Sequence, residues 1–166
     1  NKEGVIVRDS LLSHPTILQA DLVLIDLDTL HPSLSLEDFD ANTCVISWFG
    51  LDGPYSQYKG SNEAIFALTG IMKMIGEVDQ PPTIPTGFHP QILGGLSAFN
   101  GALSFLIAKA EDSKRGIKTS NFRIDASIFE ANMYLTELGA LTCYNNVPEL
   151  GLSLIHISEP TRRPII

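Results

Sequence analysis

The sequence predicts an α/β protein whose strands pair in parallel, and three observations carry that expectation. Short apolar runs bounded by turn residues alternate with helix signals through the first 60 residues, the order that builds a parallel sheet. Residues 62–76 repeat apolar side chains at the 3.6-residue spacing of a helix, and a second, longer apolar helix follows over about 91–111. The run "KTSNFRIDA" then alternates polar and apolar residues in strand fashion.

Each element follows from its own residues. "ADLVLID", 20–26, is a compact apolar run between aspartates, as expected of a strand buried on both faces. "SLEDF", 35–39, sets acidic residues behind a serine and reads as a short capped helix. "TCVISWF", 43–49, is a second strand, and the loop after it turns on Gly-Pro, exposes Tyr55 and Tyr58 and finishes on Lys59-Gly60. Ser61 is available to cap the helix over 62–76. Four prolines and a glycine forbid a continuous helix through "EVDQPPTIPTGFHP", so it is a loop, the kind of segment that often carries function. In the helix that follows, Gly94, Gly95 and Gly101 cost stability, which predicts close packing against a neighbouring backbone. Ser127 caps a last helix in "SIFEANMYLTELGAL".

At 166 residues the chain can bury one core, and 44% hydrophobic with 18% charged residues is ordinary globular composition. A net charge of −8 argues against a nucleic-acid partner, because no basic stripe is available to meet phosphates. The apolar stretch 92–110 contains three glycines, Asn100 and two serines, so the expectation is a buried helix and no membrane partner. Cys44 and Cys143 are far apart and lack C-x-x-C spacing, which supports neither a disulfide framework nor a metal site. Cys44, inside a strand-like run, reads as a buried structural thiol, and cytoplasmic residence is the expectation by default. The chain begins at Asn1 in charged text with no methionine, as an internal fragment would, and no signal peptide is visible. Residues 1–146 read as a partial domain that includes the start of a linker helix region. Residues 147–166 form a tail with neither clean period; the stretch "LSLIHISEPTRRPII" resembles translated sequencing-adapter text, with a real short strand and loop as the alternative, and His156, Arg162 and Arg163 are left out of the site.

No G-x-G-x-x-G, P-loop, G-x-S-x-G or H-E-x-x-H motif is present. His14 and His31 each precede proline and read as loop residues; His89, ahead of the glycine-rich helix, is the histidine in a plausible pocket, although packed and surface histidines outnumber catalytic ones. Lys59 stands in a glycine-rich turn before a helix, where a cation and helix-terminal N–H groups could meet a phosphate; a solvated loop lysine is the plainer alternative. Tyr55 and Tyr58 could stack on an adenine or simply pack, and Glu77 and Asp79 read as solvating the proline-rich loop.

Four blocks in order, "ISWFGLDGPYSQYKG", "ALTGIMKMIGEVDQPPTIPTG", "GGLSAFNGALSFLIAKAEDSKRG" and "RIDASIFEA", resemble the class III CoA-transferase family, which includes formyl-CoA transferase, carnitine CoA-transferase and alpha-methylacyl-CoA racemase. The match runs over about residues 20–139. It implies a fragment of the Rossmann-like large domain of that fold, and in the full-length protein an interlocked homodimer. It implies coenzyme A as acyl carrier and substrate, with no permanently bound cofactor, and as partners an acyl-CoA and a carboxylic acid acceptor. The lysine that contacts CoA in the family falls on Lys59, and Tyr55, Gly87 and His89 complete the expected CoA-binding set.

The resemblance also locates two departures. The family's catalytic aspartate attacks the thioester in the transferases and helps move the α-proton in the racemase; counting back from Leu96 places it at Gln91. A second acidic or histidine position falls on Asn62. Both are amides here, and an amide cannot serve as the anionic nucleophile or base that a carboxylate provides. The arginine often found after the preceding strand is absent too, with "LIDLDTLHP" in its place. Three readings stay open: acyl-CoA binding with CoA transfer between carboxylic acids, a non-catalytic CoA-binding or structural paralogue, and an unrelated nucleotide-binding α/β domain.

Overall fold

The computed structural model describes residues 12–75, 80–117 and 121–136. Glu77, Asp79, Cys143 and the tail 147–166 lie outside the described residues. After the single turn α1 (Pro15–Leu18), strand β1 (Val23–Asp26) pairs in parallel with β2 (Thr43–Ser47), and β2 pairs in parallel with β3 (Arg123–Ser127). Helices α2 (Asn62–Leu68) and α3 (His89–Lys114) lie in sequence between β2 and β3, and α4 (Ile128–Met133) follows β3 directly. This is an α/β arrangement, as expected.

The central strand explains the layering. Along β2, Cys44 and Val45 point to opposite faces. Val45 joins Ile25 and Phe39 on one side, while Cys44 meets Ala98 of α3 and Ala126 of β3 on the other. A third cluster of Trp48, Ile65 and Ile128 closes the end of the sheet where the strands run out. Short side chains at Gly94 and Ala98 let α3 approach closely: a Cβ on Gly94 would come within 2.6 Å of Ile128 Cγ1.

Several expectations are corrected. β1 is not buried on both faces; among the described residues it is an edge strand, and Leu24 is 61% exposed. The first long helix stops at Leu68 instead of running to residue 76, because Gly70 takes a left-handed conformation (φ 78°) and the chain continues as the 3-10 turn Ile71–Met74. The 35–39 helix is a single 3-10 turn, Leu36–Asp38, with the Asp38 carboxylate accepting from the Ser35 N–H at 2.8 Å. α3 is longer than expected at both ends, and it is not a buried helix: Pro90, Gly94 and Ala98 are its buried residues, whereas Leu96, Phe99 and Ile107 are exposed. By length and composition alone this helix could cross a membrane; here a narrow stripe of it rests on the sheet. Gly95 departs from the expected packing as well, since nothing lies within 4 Å of where its Cβ would be.

Candidate functional site

The carboxyl ends of the parallel strands are where an open α/β sheet places its ligand crevice. A cleft of about 300 Å³ occupies that position, lined by Asp26, Asp28, Ile46, Ser47, Trp48, Gln91 and Ile128. Its floor comes from the ends of β1 and β2, and its far wall from the first turn of α3. Pro90 falls in the first turn of α3, where a missing N–H is tolerated, and the N-cap residue Phe88 supplies no side-chain cap. Gln91 is the third residue of this helix, in the first turn, whose N-terminal amide groups face the cleft.

Trp48 joins the cleft to the loop beyond it. Its indole N–H donates to Asp28 Oδ2, and its backbone carbonyl accepts from the Phe129 N–H at 2.9 Å. Gly60 lies so close to the indole that a Cβ there would overlap the ring. Asp28 is thus engaged as an acceptor, and Asp26 Oδ1 accepts from the Asp28 N–H at 3.1 Å. Both carboxylates serve as hydrogen-bond acceptors that shape the turn after β1.

The expected site residues fall into two groups. Asn62, Gly87 and His89 come together beside Gln91: Asn62 Nδ2 donates to Gly87 O at 3.4 Å, and His89 Nε2 lies 3.1 Å from Thr86 O. Gly87, at φ 111°, makes the turn that delivers His89 to the start of α3. The Asn62 side-chain oxygen is buried and has no hydrogen-bond partner among the described residues, an uncommon state for a buried acceptor. Tyr55 and Lys59 stand apart from this group on the exposed loop after β2. Tyr55 packs at 6.0 Å, ring to ring, against both Phe49 and Tyr58 while staying 56% exposed. Lys59 is not a cleft-lining residue; it precedes Gly60, which rests on the cleft's tryptophan.

Charges near the site are few and explained by local partners. At the start of α2, Glu63 is held below its ordinary value by its own backbone N–H and by the Ser61 hydroxyl. Asp26 and Asp28 were not anticipated from sequence, whereas Ser47 and Trp48 open the stretch 47–60 that reads from sequence as the floor of a site. The signal that finds them is positional, since they all stand at the carboxyl ends of parallel strands. No group of three or more His, Cys, Asp or Glu side chains able to hold a metal occurs among the described residues.

Residues 43–150 match the CoA-transferase family III. An acetyl-CoA:oxalate CoA-transferase of Acetobacter aceti is 31% identical over 100 residues, which are 60% of this chain and 24% of that protein. A CAIB/BAIF family protein from Brucella suis aligns with a TM-score of 0.70 at 23% identity, over 91% of this chain and 39% of that one. A hypothetical protein from Mycobacterium tuberculosis aligns with a TM-score of 0.59 at 15% identity, over 87% of this chain and 41% of that one. The two structures show likeness of fold. The chain spans 24% of the length of the curated relative it matches.

Proposed function

The chain belongs to CoA-transferase family III, and from that we propose that it forms one wall of an acyl-CoA site. The alternative of an unrelated nucleotide-binding domain falls with that membership. One observation carries the reading: Gln91, at the position where the family resemblance expects its catalytic carboxylate, lines the cleft at the carboxyl ends of β1 and β2. The charge pattern supports an orientation. Asp26 and Asp28 border the cleft and repel anions, so the neutral pantetheine and acyl portion enters there. The phosphates then extend toward Lys59 on the outer loop. The thioester carbonyl arrives at the first turn of α3, whose N–H groups stabilise charge developing on its oxygen.

CoA transfer from the acyl-CoA to an acceptor carboxylic acid is the reaction the family implies, within the interlocked pair of chains its resemblance suggests. At position 91 the covalent step of that reaction is closed. A carboxylate would form a mixed anhydride by expelling CoA thiolate from the thioester carbon; the Gln91 side chain is limited to hydrogen bonding that carbonyl. The same amide favours a second reading, a CoA-binding paralogue without transferase chemistry. Calorimetric titration of the full-length protein with CoA tests the shared premise. Lys59→Ala is expected to weaken binding by roughly 1 to 3 kcal/mol, the range for a charge-assisted hydrogen bond. Unchanged affinity would return Lys59 to a solvated loop residue.

A further inference from the structure

The loop over residues 50–60 carries Tyr55 and Lys59, and most of its tip is exposed. An exposed loop keeps one geometry only where its ends are held. The trailing end is held by Gly60 against the Trp48 indole. The leading end turns at Gly50, in a left-handed conformation (φ 91°) that favours glycine. Two side chains fix that turn. Ser47 Oγ accepts from the Gly50 N–H at 2.9 Å, and Asp125 Oδ2 accepts from the Leu51 N–H at 2.8 Å. The Asp125 oxygen also stands 3.3 Å from where a Cβ on Gly50 would be, so the carboxylate packs against the turn as well as bonding to it. Asp125 is in register with Val45. Its bond therefore ties the loop's first residues to a strand 74 positions later in the chain.

We propose that Asp125 is the positioning residue of this loop: it holds the turn at residues 50 and 51, and through it the placement of Lys59, without touching the ligand. The proposal rests on the reading that the loop meets CoA. Two effects of the side chain oppose each other. Its negative charge near a polyanionic ligand weakens binding, and its hydrogen bond strengthens binding by ordering the loop. Removing the charge and removing the acceptor are therefore separable.

The test is calorimetric titration of CoA into the full-length protein and four variants: Asp125→Ala, Asp125→Asn, Lys59→Ala and the double variant Asp125→Ala/Lys59→Ala. Asp125→Ala is expected to weaken binding about tenfold. Asp125→Asn, whose amide oxygen still accepts from Leu51, binds as tightly as wild type or more tightly. In the Asp125→Ala background the Lys59 substitution adds less than about twofold, because the lysine has already lost its placement. Fully additive losses, an asparagine variant as weak as the alanine variant, or wild-type affinity in Asp125→Ala would each overturn the positioning role while leaving CoA binding intact. A wild-type protein that does not bind CoA would remove the acyl-CoA reading and this proposal together. Hydrogen exchange on the wild-type protein needs no variant: the Leu51 amide, bonded to Asp125, is expected to exchange far more slowly than the amides of Tyr55 and Gln57 at the exposed tip. Equal rates would count against the clamp.

Discussion

Cys44 lies at the centre of the sheet, fully buried, with its Sγ 3.7 Å from the Ala98 carbonyl. Burial pushes its thiol above the ordinary value of 9.0, and the nearby Asp125 charge adds to the shift. The side chain therefore stays a protonated thiol at neutral pH, and peptide-resolved labelling with iodoacetamide at pH 8 should modify it only after denaturation. Rapid labelling of the native protein would show that the site opens. Because the folded value is raised, the stability linked to this group is fully present below about pH 9 and declines as pH rises further. A structural thiol was legible from "TCVISW" alone, since a cysteine inside a strand-like run is usually buried. Asp26, Asp28 and Asp125 were not, because an aspartate in or beside a strand reads the same whether it is solvated or accepts a hydrogen bond from a distant residue.

Among the elements, the strands and the start of α2 were legible, and the extents of the helices were less so. Ser61 caps α2, accepting from the Ala64 N–H, and Ser127 caps α4, accepting from the Glu130 N–H; both are local signals within four residues of each other. The stop at Leu68 depends on Gly70 adopting positive φ, a choice the periodicity of the following "IMKMIG" conceals. The exposed face of α3 was misread because a helix apolar all round looks buried, whereas this three-stranded sheet covers only one stripe of it. The two adjacent glycines make a paired prediction. Gly95→Ala meets open space and should stabilise the domain by about 1 kcal/mol through helix propensity alone. Gly94→Ala gains the same propensity but must push Ile128, whose Cα is 3.3 Å from the new Cβ, and should destabilise by about 1 to 3 kcal/mol. Thermal unfolding of the two variants checks the contrast. Equal shifts would mean that α3 does not lie against α4 at Gly94.

For the whole molecule, the family and the parallel α/β arrangement were legible because four ordered blocks fall on elements that converge at one end of the sheet. Gln91, Asn62, Gly87 and His89 gather at the start of α3, although up to 29 residues of chain separate them. The trade-off at that point is electrostatic. The helix dipole and its N–H groups suit a thioester carbonyl, while the amide at position 91 withholds the anion that covalent transfer needs. The proposed site is therefore an acyl-CoA site of family III whose nucleophile position is an amide. Intact-protein mass spectrometry of the full-length protein after incubation with acyl-CoA, with hydroxylamine as the trap, tests it most directly. Wild type is predicted to carry neither a CoA thioester adduct nor a hydroxylamine-sensitive acyl group, and Gln91→Asp to gain one of them. A covalent adduct on the wild-type protein would place the reacting carboxylate elsewhere, Glu63 or Glu77 included, and would contradict the assignment of position 91.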